Sequence, residues 1–147
     1  MGPALEWGHH LQTHSTFWLA YLGNRCPEHP FTGIKVMKRI IIGITGATGT
    51  IYGWRLMELL RSEGETEIHL VMSPSAKLTL KMEHDVDPDR LSDLAHEVHA
   101  PGNIGASISS GSFFSEGMII APCSIKTMSN IAMGNTGDLI TRSADVI

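Results

Sequence analysis

Ile40-Ile41-Ile42-Gly43-Ile44-Thr45-Gly46-Ala47-Thr48-Gly49-Thr50 decides the fold of this chain. The β-branched run at its start suits a strand buried on both faces of a parallel sheet. The glycine-punctuated turn behind it lets a ligand phosphate approach backbone N–H groups at the start of a helix. A helix pattern follows at once: Tyr52, Leu56, Leu59 and Leu60 recur at one-turn and two-turn spacing, with Arg55, Glu58 and Ser62 on another side. This is the signature of a nucleotide-binding βα unit, and ligand chemistry is expected to begin near Gly46.

The pattern continues outward. Gly64 stops the helix, Glu67 to Met72 reads as a second strand, and Ser73-Pro74 supplies an N-cap and a first-turn proline for a helix through Met82. Asp87-Pro88 repeats that start signal, and the stripe Leu91, Leu94, Ala95 and Val98 predicts a further helix, broken by Pro101-Gly102-Asn103. After a serine-rich loop from Ser107 to Ser112, Gly117 to Ala121 reads as a short buried strand closed by Pro122-Cys123-Ser124. Ile125 to Met133 predicts a helix ended by Gly134-Asn135, and a last helix starts near Asp138 with Leu139, Ile140, Ala144 and Val146 on its apolar side. Alternating strands and helices define an α/β fold, a Rossmann-like (flavodoxin-like) parallel sheet flanked by helices. Because a doubly wound sheet would add a strand after Ile147, the domain at 37–147 is expected to be incomplete at its C-terminus. Residues 1–36 read as an irregular N-terminal extension.

Composition narrows the function. With 147 residues, 42% hydrophobic and 18% charged, the chain suits one compact domain and excludes a disordered or fibrous protein. A net charge of -4 gives no general attraction to nucleic acid or anionic membrane, which favours small-molecule ligands. The first 36 residues contain neither a secretion signal nor a membrane-length apolar run, and Glu6 stands where myristoylation wants Ser or Thr. Cys26 and Cys123 lie in such different contexts that no structural disulfide is expected, consistent with a cytoplasmic protein. Cys123, at a helix start beside an apolar strand, is expected to be a buried packing residue rather than an activated thiol. The eight histidines form neither His-Glu-x-x-His nor a Cys/His spacing, so no metal site is expected.

Three ligand classes compete for the glycine turn. A P-loop needs Lys-Ser or Lys-Thr after its last glycine, where Thr50-Ile51 stands. A dinucleotide fold of the short-chain dehydrogenase type is matched by Gly43-x-x-Gly46-x-x-Gly49, yet His69-Leu70-Val71-Met72-Ser73 lacks the ribose-binding acid and no Tyr-x-x-x-Lys follows. A mononucleotide such as FMN fits better. Thr45 and Thr48 in the first turn, Ser73 after the second strand, and Ser124 and Thr127 after the next one would bring hydroxyl donors from three strand ends to one crevice. The plainer alternative is that these residues cap helices.

Five motifs in order carry a family resemblance: Gly43 to Gly49, His69 to Ser73, Ala106-Ser107-Ile108-Ser109-Ser110-Gly111-Ser112-Phe113, Pro122-Cys123-Ser124-Ile125-Lys126-Thr127, and Leu139-Ile140-Thr141-Arg142-Ser143-Ala144-Asp145-Val146. Through them Met37 to Val146 resembles the N-terminal part of the UbiX/Pad1 family of flavin prenyltransferases. That resemblance implies transfer of a dimethylallyl group from dimethylallyl monophosphate to reduced FMN, without metal, giving prenylated FMN for a UbiD-type decarboxylase. It implies flavin binding by Gly46, Ala47, Thr48, Ser73, Ser124, Ile125, Lys126 and Thr127. Arg142 would face the substrate phosphate, Glu83 would handle a proton near the substrate, and the Ser107 to Ser112 loop would lie over the phosphate. The family's dodecameric assembly implies a homo-oligomer. Two alternatives stay open: a truncated, non-catalytic FMN-binding module and, more distantly, an NAD(P)-binding protein of the short-chain dehydrogenase type.

Overall fold

The computed structural model describes residues 37–147. The expected extension at 1–36, including Cys26, lies outside the described residues. Strands β1 (Lys38–Ile44), β2 (Thr66–Met72), β3 (Glu97–His99) and β4 (Gly117–Ile120) form one sheet in the order β3-β2-β1-β4. Every pairing is parallel. The helices are α1 (Thr50–Glu63), α2 (Pro74–His84), α3 (Asp89–Ser92), α4 (Ile125–Ala132) and α5 (Leu139–Val146), with a 3₁₀ turn at Ser107–Ser109. This is the expected α/β, flavodoxin-like architecture. No helix among the described residues is long and apolar enough to cross a membrane.

The isoleucine run builds the core by alternation. Ile42 and Ile44 pack with Ile68, Leu70, Met72, Met57, Ala76, Leu80 and Leu91 on one face of the sheet. Ile41, one residue out of phase, packs with Val71, Ala106, Ile108, Leu139 and Ile140 on the other. Both faces are therefore covered, which is why the run is continuously apolar. Each fully buried isoleucine or leucine contributes about 1.5–3 kcal/mol.

Three expectations are corrected. The close face of α1 runs through Thr50, Gly53 and Met57, whereas Tyr52 is 74% and Leu59 64% exposed. Gly53 sets that rotation: a Cβ there would stand 2.3 Å from the carbonyl oxygen of Ala121, so only glycine lets the helix lie so near the end of β4. The helix predicted after Asp87-Pro88 lasts one turn as α3, and the chain then extends into β3. Leu91, Leu94 and Ala95 do face the core, but Val98 belongs to the strand and is half exposed, because pairing with β2 overrides the helical period. Finally, β4 is only partly buried, with Ile119 exposed, because β1 is its one paired neighbour among the described residues.

Candidate functional site

The strand register brings three carboxyl ends level. Ile44 pairs with Met72, and Gly43 pairs with both Val71 and Ile120. Thr45 then ties β1 to the segment after β4. Its N–H and its hydroxyl both donate to the Pro122 carbonyl, at 3.1 and 2.8 Å, and its Oγ1 accepts from the Ser124 N–H at 2.6 Å. On the other side the Ser73 N–H donates to the Ile44 carbonyl at 3.0 Å. Gly46 packs so tightly on the start of α2 that an added Cβ would fall 2.3 Å from the Ser75 Cβ. The first turn, Ser73 and Ser124 thus meet at one edge of the sheet, as the spacing of hydroxyl residues predicts. Thr45 itself, 1% exposed and fully engaged, is a staple within that edge and not a ligand donor.

Helix starts at this edge differ in what they leave open. At α2, Ser73 Oγ accepts from the Ala76 N–H at 3.1 Å, and Pro74 has no N–H to satisfy. At α4, Ser124 Oγ accepts from the Thr127 N–H at 3.3 Å and lies 3.0 Å from Thr127 Oγ1. The N–H groups of Ile125 and Lys126, the first two positions of α4, have no acceptor within the helix. Lys126 is exposed beside them. Two open amides beside a hydroxyl pair are donors of the kind that bind a phosphate, and Lys126 adds a positive charge to the same turn.

The start of α1 is already filled. Glu83, near the end of α2, accepts from the Gly49 N–H at 3.1 and 3.3 Å, from the Thr50 N–H at 3.2 Å and from the Thr50 hydroxyl at 2.8 Å. The Thr50 hydroxyl, aided by the Gly49 and Thr50 N–H groups, holds the Glu83 carboxyl below its usual range. The glycine turn was expected to offer these amides to a ligand phosphate; the protein's own carboxylate takes them. No sequence pattern signals this contact, because its partners stand 33 and 34 residues apart. Of the other turn residues, Ala47 donates its N–H to the Thr45 carbonyl at 2.9 Å, while Gly46 and Thr48 are exposed.

Arg142 lies on α5, which packs against α4 and the 3₁₀ turn. Its Nη1 pairs with Asp145 at 3.0 Å. In the serine-rich loop Ile108 is fully buried, and Ser110 Oγ stands 2.8 Å from Ser112 Oγ. Cys123 is free and exposed, against the expectation of a buried packing residue. The strand has ended at Ile120, so the chain carries Cys123 out of the sheet. Partial desolvation pushes its thiol above the usual value, which also removes any claim to an activated thiolate.

The family profile described as Flavoprotein matches residues 32–147. The chain belongs to the Flavoprotein family. It is 51% identical over 111 residues to flavin prenyltransferase UbiX of Escherichia coli strain K12, covering 76% of this chain and 59% of that protein. It is 48% identical over 110 residues to flavin prenyltransferase LpdB of Lactiplantibacillus plantarum, covering 75% of this chain and 59% of that one. Among solved structures, AnUbiX (PadA1) in complex with FMN and dimethylallyl pyrophosphate superposes with a TM-score of 0.73 at 44% identity, covering 76% of this chain and 58% of that one. A dodecameric FMN-dependent UbiX-like decarboxylase from Escherichia coli O157:H7 gives 0.72 at 44% identity, covering 74% and 59%. The resemblance carried by the five motifs therefore holds, and this chain spans about 59% of the length of the curated relatives it matches.

Proposed function

We propose that this chain is a flavin prenyltransferase, which joins the dimethylallyl group of dimethylallyl monophosphate to reduced FMN and makes prenylated FMN for a UbiD-type decarboxylase. The observation that carries this reading is the open donor set at the start of α4, beside a turn in which Gly46 leaves no room for a side chain. Identities of 51% and 48% to flavin prenyltransferases support the choice of reaction.

Each chain residue has a physical task in that reading. The amides of Ile125 and Lys126, the Lys126 ammonium and the Ser124 and Thr127 hydroxyls bind the flavin phosphate. Gly46, Ala47, Thr48 and Ser73 line the flavin's approach to the sheet edge. FMN, once bound in its reduced form, supplies the electron-rich carbon and nitrogen that accept the prenyl group. Breaking the allylic carbon–oxygen bond leaves a phosphate whose growing charge needs a fixed cation, and Arg142 fills that role by exchanging Asp145 for the leaving group. Glu83, ionised by its hydrogen bonds, fixes the first turn and is the carboxylate available for proton handling during ring closure.

Anaerobic incubation of the full chain with reduced FMN and dimethylallyl monophosphate tests the proposal by mass spectrometry of the flavin. Prenylated FMN is the expected product. FMN binding without product would instead establish the second reading, a non-catalytic flavin-binding module. That alternative is favoured by Glu83 and Arg142 both being engaged within the protein. Exposed Ile125, Met128 and Met133 on and after α4 support a homo-oligomer like the dodecameric relative. The free Cys123 thiol is in keeping with a reducing, cytoplasmic location.

A further inference from the structure

We propose that His69, Glu97 and His99 form a binding site for one divalent transition-metal ion of the zinc type, clipping the short edge strand β3 to β2. Parallel pairing of His69 with Glu97 and of Val71 with His99 puts all three side chains on one face of the sheet. One ligand atom from each lies within 4.8 Å of the others. His69 Nδ1 stands 3.1 Å from His99 Nε2 and 3.4 Å from Glu97 Oε2. Zinc–ligand bonds of about 2.0–2.1 Å in a tetrahedral site hold neighbouring ligand atoms about 3.3 Å apart, close to the two His69 separations, and the exposed Glu97 is free to close the third.

A chain of hydrogen bonds orients the first histidine toward the other two groups. His69 Nε2 lies 3.1 Å from Glu67 Oε1, and Glu67 is in turn held by Arg39 Nε at 3.0 Å. This carboxylate–histidine arrangement places the proton on Nε2 and leaves the Nδ1 lone pair facing His99 Nε2 with Glu97 beside it, the outer-shell device that orients metal-bound histidines. Without an ion, the His99 Nε2–H donates to His69 Nδ1 and the exposed Glu97 carboxylate stands in water beside the pair. Metal binding moves the His99 proton from Nε2 to Nδ1, on the side of Glu97, which keeps both rings neutral, and turns the two rings so that both lone pairs meet on the ion. His69 and His99 are 1% and 6% exposed, and Phe113 stacks edge-on against His69 at 4.9 Å, while Glu97 opens to solvent and gives the ion a way in. The site uses residues apart from the flavin edge. Only Glu97 and His99 are close in sequence, and His69 joins them through strand pairing, which is why a motif search passes over the site.

The test uses the full chain, stripped with a chelator and titrated with Zn²⁺ or Co²⁺ alone. One equivalent of Zn²⁺ should bind, Co²⁺ should give the visible absorption of a four-coordinate ion, and the thermal midpoint should rise by several degrees. His99→Gln and Glu97→Gln should each weaken binding at least about tenfold, whereas His9→Asn with His10→Asn should not. Glu97 is exposed, so its variant remains informative if the His99 variant fails to fold. Absence of stoichiometric binding, or binding unchanged in the Glu97 and His99 variants, overturns the proposal.

Discussion

Helices α1 and α4 both begin at the carboxyl edge of the same sheet, and the protein finishes their N-termini in opposite ways. At α1 the amides of Gly49 and Thr50 are closed by the Glu83 carboxylate, a negative charge supplied from within. At α4 the Ser124 side chain satisfies Thr127 and leaves Ile125 and Lys126 free, with a lysine in place of an acid. A helix start attracts anions in either case. One has been given its anion by the fold, and the other is left for a ligand. A glycine-rich turn is therefore not by itself a phosphate site; the fate of its N–H groups decides.

The largest expected effect tests the open end. Lys126→Ala removes the charged donor and should weaken FMN binding about 10- to 100-fold, corresponding to roughly 1.5–3 kcal/mol for a hydrogen bond to a charged group. Riboflavin, which lacks the phosphate, should bind both proteins equally. Fluorescence titration with the two flavins measures the difference directly. Equal weakening of both ligands would remove α4 from the phosphate and break the comparison.

Next comes the packing that sets the two helices on one edge. Gly46→Ala forces a Cβ onto Ser75 and should cost about 1–3 kcal/mol in urea unfolding. Gly102→Ala, with nothing within 4 Å of the new methyl, should change stability by less than about 0.5 kcal/mol. Similar losses at the two positions would mean that the contact at Gly46 relaxes freely. Thr45→Val should cost less, about 1–1.5 kcal/mol, because it keeps the shape but strips Pro122 and Ser124 of their hydroxyl partner. Urea midpoints at constant slope give both values.

Much of this edge was legible in advance because its signals are local. The isoleucine run, the glycines after it, Ser73-Pro74 and Ser124 each announce a strand end or a helix start within a few residues, and each stands where the pattern puts it. The failures share one cause, which is that a distant partner decides the outcome. Val98 completes a helical stripe with Leu91, Leu94 and Ala95, yet β2 recruits it into a strand. Tyr52 and Leu59 belong to the apolar period of α1, but contact with Ala121 at Gly53 turns them outward. Glu83 looks like a charge at a helix end until α2 packs beside α1 and delivers it to the first turn. His69 and His99 likewise become neighbours only through the pairing of β2 with β3.

The closed end makes the smallest and most specific prediction. Because hydrogen bonds from Thr50 and Gly49 depress the folded-state pKa of Glu83 below 4.5, its unfolded reference, the unfolded chain binds the proton more readily. The stabilisation is therefore complete above the unfolded value and fades as pH falls through the lower folded value. Glu83→Gln should leave the fold intact, lower the urea midpoint modestly at pH 7, and bring the variant closer to the parent in acid below pH 4.5. Its FMN affinity should stay within a few-fold of the parent, since the anion it loses closes the start of α1 and does not hold the flavin phosphate. If FMN affinity instead rises sharply, the freed amides of Gly49 and Thr50 have captured the phosphate, and the two helix starts are interchangeable sites distinguished only by which one the protein fills.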